Sequence, residues 1–208
     1  AYDKLAEETD QILTIIVSAK LSGTYEVALQ SVGLMKRKCQ VEVVDSRWGV
    51  MAQGFLVIAA ARAAQAGARL DELREIVKRN SSRVDMRAAF DTLEYLRRGG
   101  RIGAAQAFLG SALRIHPIIT MKNGVVEPAG RARSRAKAID HLYQFAASYS
   151  HVDELAVENA ACPADADLLA ERLSARFPDK HIYRTNTTPV IGTHTGPGLL
   201  LLAVMGDK

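Results

Sequence analysis

Ile12-Leu13-Thr14-Ile15-Ile16-Val17-Ser18-Ala19-Lys20-Leu21-Ser22-Gly23-Thr24, followed after a helical stretch by Val41-Glu42-Val43-Val44-Asp45-Ser46, decides the fold. Ile12 to Val17 is a continuous apolar run of strand length, suited to a parallel strand buried on both faces. Ser18 to Gly23 is a polar turn. Thr24 to Met35 has a helical pattern, with Val27, Ala28, Ser31 and Val32 along one side. Val41 to Val44 is the next strand. Strand, helix and strand within about thirty residues make a βαβ unit, whose crossover is right-handed.

Outward from this unit, Leu5 to Thr9 reads as the end of a helix. A helix over Ala52 to Gln65 stops at Gly67, and Leu70, Leu73, Ile76 and Val77 mark another. The character changes near Ser82. Arg87 to Phe90 is a short strand, and Thr92 to Arg98 a short helix ended by Gly99-Gly100. Ala104 to Leu113 is a helix rich in small residues. Pro117 confines the strand Ile115 to Thr120 to an edge or a strand start. Asn123-Gly124, between Met121 and Val125-Val126, is the strongest hairpin signal in the chain. An amphipathic helix over Arg135 to Tyr149, a strand Leu155 to Glu158, a helix Ala164 to Phe177 and a strand His181 to Arg184 complete the pattern. Thr188 to Ile191 is expected to be extended and Leu199 to Met205 to be a buried strand. The glycines and proline between them should form a hairpin turn with His194 at its apex. The fold expected is α/β in two lobes. Residues 1–81 form the parallel-sheet lobe and residues 82–208 a lobe with a mixed sheet.

Composition bounds the function. The chain has 208 residues, 48% of them hydrophobic and 24% charged, which is ordinary for a globular protein. Aromatics at 6% are too sparse for stacking platforms on single-stranded nucleic acid. Cys39 and Cys162 are far apart with no ligand-like spacing, so no metal site is expected and a reducing cytoplasm is the simplest setting. The net charge of +4 is uneven: residues 82–137 carry eleven Lys and Arg against four acids, leaving +7 there and −3 elsewhere. A middle this basic suits an anionic partner. The chain opens without Met and mid-helix in pattern, so a preceding segment is expected.

Three places have chemistry to offer. The turn Ser18 to Thr24 lies at the carboxyl end of a parallel strand and the start of a helix, where unpaired N–H groups favour anions. Ser18, Ser22 and Thr24 add hydroxyls, Gly23 permits close approach, and Asp45-Ser46 shares the same sheet edge; simple helix capping is the plainer role for each. Thr193-His194-Thr195-Gly196 places a titratable ring in a glycine-rich setting. Arg131, Arg133, Arg135 and Lys137 open a helix, where cations oppose the helix dipole and so suggest a role beyond helix stability. Walker loop, dinucleotide fingerprint, Gly-x-Ser-x-Gly elbow and His-Glu-x-x-His patterns are all missing.

Together, Leu21-Ser22-Gly23-Thr24-Tyr25, Val44-Asp45-Ser46, Leu93-Glu94-Tyr95-Leu96-Arg97-Arg98-Gly99-Gly100-Arg101-Ile102 and Gly192-Thr193-His194-Thr195-Gly196-Pro197-Gly198 resemble the DegV family of bacterial fatty-acid-binding proteins, also called FakB. The resemblance spans essentially the whole chain. It implies two α/β lobes with a long-chain fatty acid between them, and a carrier rather than an enzyme. The carrier would offer the bound acid to a separate fatty-acid kinase, which makes the acyl phosphate. By the same resemblance Ser18, Leu21, Ser22, Gly23, Thr24, Asp45, Ser46, Thr193, His194 and Gly196 line the ligand site. Arg131, Arg133 and Arg135 form the partner face, with Arg133 matching the family arginine tied to work with the kinase. No cofactor beyond the fatty acid is implied; transient contact with an anionic membrane surface is compatible with the charge. Two features depart from the family. Ser18-Ala19 stands where two serines are common, and a segment of several dozen residues with a Thr/Ser-Gln-Pro turn usually comes first.

Two other classes remain on the residues alone. A hydrolase or transferase acting on acyl substrates would use Ser22 as nucleophile and His194 as base, and would need a third residue to orient the ring. A nucleic-acid-binding regulator would use the basic middle and show steep salt dependence.

Overall fold

A computed structural model of the protein describes residues 1–109 and 115–208. The chain divides into two compact units, Ala1–Ser82 and Arg83–Lys208.

In the first unit, a short helix α1 (Tyr2–Leu5) precedes strand β1 (Gln11–Ile16), helix α2 (Thr24–Val32) and strand β2 (Gln40–Asp45). The two strands pair in parallel from Gln11↔Gln40 to Ile16↔Asp45, which is the expected βαβ unit. Helix α3 (Val50–Gln65) ends at Gly67, whose φ of +92° suits the turn away from the helix. Helix α4 (Leu70–Ser81) follows, its first turn closed by the Glu72 carboxylate, which accepts from Arg69 N at 2.7 Å. Phe55 and Leu56 of α3 and Leu70, Leu73 and Val77 of α4 are buried. One expectation fails: β1 is not buried on both faces. Ile12 is its one buried residue, because the sheet has two strands among the described residues and α2 buries none of its own.

The second unit is a six-stranded sheet ordered β5-β4-β3-β8-β6-β7. Its elements are β3 (Val84–Ala89), helix α5 (Glu94–Arg98), a 3₁₀ turn (Gly103–Phe108), β4 (His116–Lys122), β5 (Val125–Ala132), helix α6 (Arg135–Ala147), β6 (His151–Asn159), helix α7 (Pro163–Arg176), β7 (Ile182–Asn186), helix α8 (Pro189–Thr195) and β8 (Leu200–Asp207). All neighbours pair antiparallel except β6 and β7. The core lies where Ile139, Leu142 and Phe145 of α6 and Leu169 and Leu173 of α7 meet Leu155, Val157, Leu200, Leu202 and Val204 of the sheet. Ser134 caps α6 by accepting from Lys137 N at 3.3 Å, and Pro163 opens α7 where no N–H is needed.

Asn123 (φ 50°) and Gly124 (φ 82°) form the two-residue β4–β5 turn, as their dipeptide signals. Pro117 is the second residue of β4, an interior strand, so it marks a strand start and not an edge. The helix expected from Ala104 to Leu113 is a 3₁₀ turn through Phe108; residues 110–113 of it lie outside the described residues. The terminal hairpin is also corrected. Its second arm is the strand β8, but β8 runs between β3 and β6 and does not pair with residues 188–191. Residues 189–195 are helical, not extended. Pro189 sits at a helix start, where its fixed φ helps and its missing N–H costs nothing, and the helix ends at Gly196 with φ +70°.

Candidate functional site

At the carboxyl ends of β1 and β2, two turns are tied together by hydrogen bonds. Ser18 N donates to Trp48 O at 2.8 Å, and Asp45 Oδ1 accepts from Ala19 N at 3.2 Å and Arg47 N at 2.8 Å. The Ser46 hydroxyl donates to Trp48 O and accepts from Trp48 N, both at 3.1 Å. Trp48 Nε1 in turn reaches Ser81 O at 3.1 Å. Ser18 and Ser46 are fully buried. Asp45 and Ser46, expected at the ligand, hold the two turns together through these bonds. Leu21 and Ser22 sit on the turn that closes on Ser18 O, through N–H bonds of 2.9 and 3.1 Å. The Ser22 and Thr24 hydroxyls lie 2.7 Å apart; Gly23 stands at the cap position of α2, and Ser22 Oγ accepts from Thr24 N, the first residue of the helix, at 3.3 Å. Gly23 has open space where a side chain would stand. This turn can offer two adjacent hydroxyls and backbone N–H groups to an anion.

In the second unit, the Leu93–Ile102 and Gly192–Gly198 motifs pack against one another. A side chain at Gly99 would collide with the ring of His194, one at Gly196 with the ring of Tyr95, and one at Gly198 with the carboxylate of Asp91. His194 is half-buried on α8, with Nδ1 out of reach of solvent and of any hydrogen-bond partner among the described residues. Thr193 is exposed, but its hydroxyl donates to Val190 O at 2.7 Å within its own helix, and the buried Thr195 hydroxyl likewise reaches Ile191 O at 3.2 Å. Beneath, Glu94 accepts hydrogen bonds from Arg97 and Arg98, which hold its carboxyl down at about 2.

The three arginines expected to act together separate. Arg133 is exposed and makes no hydrogen bond or ion pair among the described residues; Arg131 is exposed, its guanidinium 5.2 Å from the centre of the Phe108 ring. Arg135 turns inward. Its Nε donates to Asp165 Oδ2 at 2.8 Å and its Nη1 to Gly198 O at 2.8 Å, with Asp91 Oδ1 3.6 Å away. His116 Nδ1 approaches the same Asp91 oxygen at 3.2 Å, without hydrogen-bonding alignment. Arg135, a cation at a helix start, is thus paired across the fold and holds the segment just after α8. Asp91 is absent from the motifs read in the sequence, and the contacts of Tyr95 with Gly196, Gly99 with His194 and Asp91 with Gly198 join positions about a hundred residues apart. The glycines were the available signal. Burial pushes the Cys162 thiol up, opposed by nearby Arg135. Among the described residues there is no metal-holding group of His, Cys, Asp and Glu, and no helix long and apolar enough to cross a membrane.

Two α/β units, one with a parallel pair of strands and one with a mixed six-stranded sheet, place the chain in the α/β class. The family model described as "Uncharacterised protein, DegV family" matches residues 1–206, and the chain belongs to the DegV family. It is 41% identical to a DegV domain-containing protein of Streptomyces coelicolor over 98% of this chain and 73% of that protein. Among solved structures, it resembles a DegV family protein from Thermus thermophilus described by its fatty-acid binding, with TM-score 0.89 and 32% identity over 99% of this chain and 74% of that one. It also resembles DegV of Bacillus subtilis, described as a fatty acid binding protein, with TM-score 0.87 and 30% identity over the same shares.

Proposed function

We propose that the protein binds a long-chain fatty acid and carries it without transforming it. The observation that carries this reading is the whole-chain likeness, at 30% identity or more, to two DegV-family proteins described as fatty-acid-binding. The Ser22 and Thr24 hydroxyls are one proposed set of carboxylate donors, and His194 with the backbone about Thr193 and Gly196 is another. A buried carboxylate without donors would be costly, while each methylene removed from water contributes about 0.8 kcal/mol, so chain length should dominate affinity. Mass spectrometry of an organic extract of the purified protein should return long-chain acids, and titration should show affinity rising with chain length. Equal affinity for short and long acids would refute the reading. So would hydrolysis of acyl esters by the protein alone, if it is abolished in Ser22→Ala and His194→Gln.

We propose further that the carrier works in the cytoplasm and presents the carboxyl group to a separate fatty-acid kinase. Exposed Arg131 and Arg133 would face this partner or an anionic membrane surface. Exposed charges act mainly on encounter and are screened by salt. Arg133→Ala should leave bound lipid intact while lowering acyl-phosphate formation with the kinase present; loss of lipid with unchanged turnover per bound lipid would reverse the assignment.

A further inference from the structure

Gly100, Gly196 and Gly198 have φ of 69°, 70° and 83°, conformations that by themselves call for glycine. Gly99 is different. Its φ of −74° and ψ of −7° are helical, and alanine favours them over glycine. Its N–H donates to Tyr95 O at 2.9 Å and its carbonyl accepts from Arg101 Nη1 at 2.6 Å, so the backbone is held in that form. The main-chain conformation therefore does not ask for glycine, although a Cβ here would stand 3.2 Å from Tyr95 O.

The cause lies in the space where a side chain would stand. A Cβ at Gly99 would collide with His194 Nδ1 and sit 3.1 Å from Cε1. Nδ1 itself is buried and unpartnered. An N–H held away from water and acceptors costs more than a bare nitrogen that has lost a weak bond to water, which places the neutral ring's proton on Nε2. Nε2 makes no hydrogen bond within the described residues, so that N–H remains available. We propose that Gly99 is a positioning residue for His194: the missing side chain makes a notch that seats the Nδ1 edge of the ring and leaves Nε2–H to the ligand's carboxylate. The carboxylate part rests on the fatty-acid reading above; the seating of the ring does not.

The test uses the full chain with Gly99→Ala, His194→Gln and the double variant, and hexadecanoic acid with its methyl ester as probes. Nitrogen-15 NMR of the five histidines reads the ring directly. Gly99→Ala should move the His194 signals and leave the other four in place. It should lower affinity for the acid about tenfold or more, as expected for losing one charge-assisted hydrogen bond, with little change for the ester. In the His194→Gln background the same substitution should have much less effect on acid affinity. Unmoved His194 signals, or losses that add in the double variant, would overturn the proposal. Moved signals with unchanged acid affinity would uphold the notch and refute the carboxylate role of His194. Should Gly99→Ala fail to fold, Gly99→Ala with His194→Ala must restore folding, because the collision is gone; continued misfolding would also overturn the proposal.

Discussion

Replacing Arg135 with methionine should cost the second unit about 2–4 kcal/mol of stability, whereas Arg133→Met should cost under about 0.5 kcal/mol. The difference follows from their surroundings. Methionine keeps most of the stem's packing but removes two charge-assisted hydrogen bonds of 2.8 Å, to Asp165 and to Gly198 O. The Arg135 side chain is 21% exposed and that of Asp165 31%, so water can only partly replace the lost partners. Each such bond contributes about 1.5–3 kcal/mol when well shielded, and partial exposure brings the pair to the range given. For a chain of this length the expected fall in Tm is about 4–16 °C. The lone tryptophan, Trp48, belongs to the first unit, so its fluorescence is the wrong probe. Urea unfolding followed by far-UV circular dichroism, with Asp165→Asn and the double variant, gives the coupling energy. A coupling below about 0.3 kcal/mol, or equal losses at Arg133 and Arg135, would refute the structural role assigned to Arg135.

Asp45→Ala should release Ala19 N and Arg47 N, loosening both turns; about 1–3 kcal/mol of stability and a change in Trp48 emission are expected, and an unchanged spectrum would count against the tie. Stability should also fall in two acid windows. Burial, aided by the Arg87 charge, holds the His141 pKa below 6.5, so the unfolded chain takes up the proton first and stability drops as pH falls from 6.5 toward the folded pKa; His141→Gln should flatten that slope. Burial alone would raise the Asp85 carboxyl, but hydrogen bonds from Lys208 and Arg87 outweigh it and hold the group below 3.8. Its contribution is therefore present above 3.8 and lost as pH falls through the lower folded value, a loss that Asp85→Asn should remove when denaturant midpoints are followed against pH.

The sequence by itself determined what is local. An apolar run, a polar turn and a helical period specify β1-α2-β2, because strand, turn and crossover lie within one short stretch. Asn123-Gly124 specifies its turn through backbone conformations those two residues tolerate, and Ser134, Pro163 and Gly67 punctuate helices for equally local reasons. Tertiary structure decided the rest. That β8 inserts between β3 and β6 depends on backbone pairing with strands some fifty and a hundred residues earlier, which no local pattern encodes. Residues 189–195 carry β-branched residues and a glycine that locally disfavour helix, yet Pro189 at the start and packing against Tyr95 and Gly99 outweigh that small preference. Whether Arg135 meets a partner or a neighbour, and why Gly99 has no side chain, are likewise set by groups remote in sequence. Charge and side-chain volume are properties of a residue; what they do depends on what the fold brings within about 4 Å.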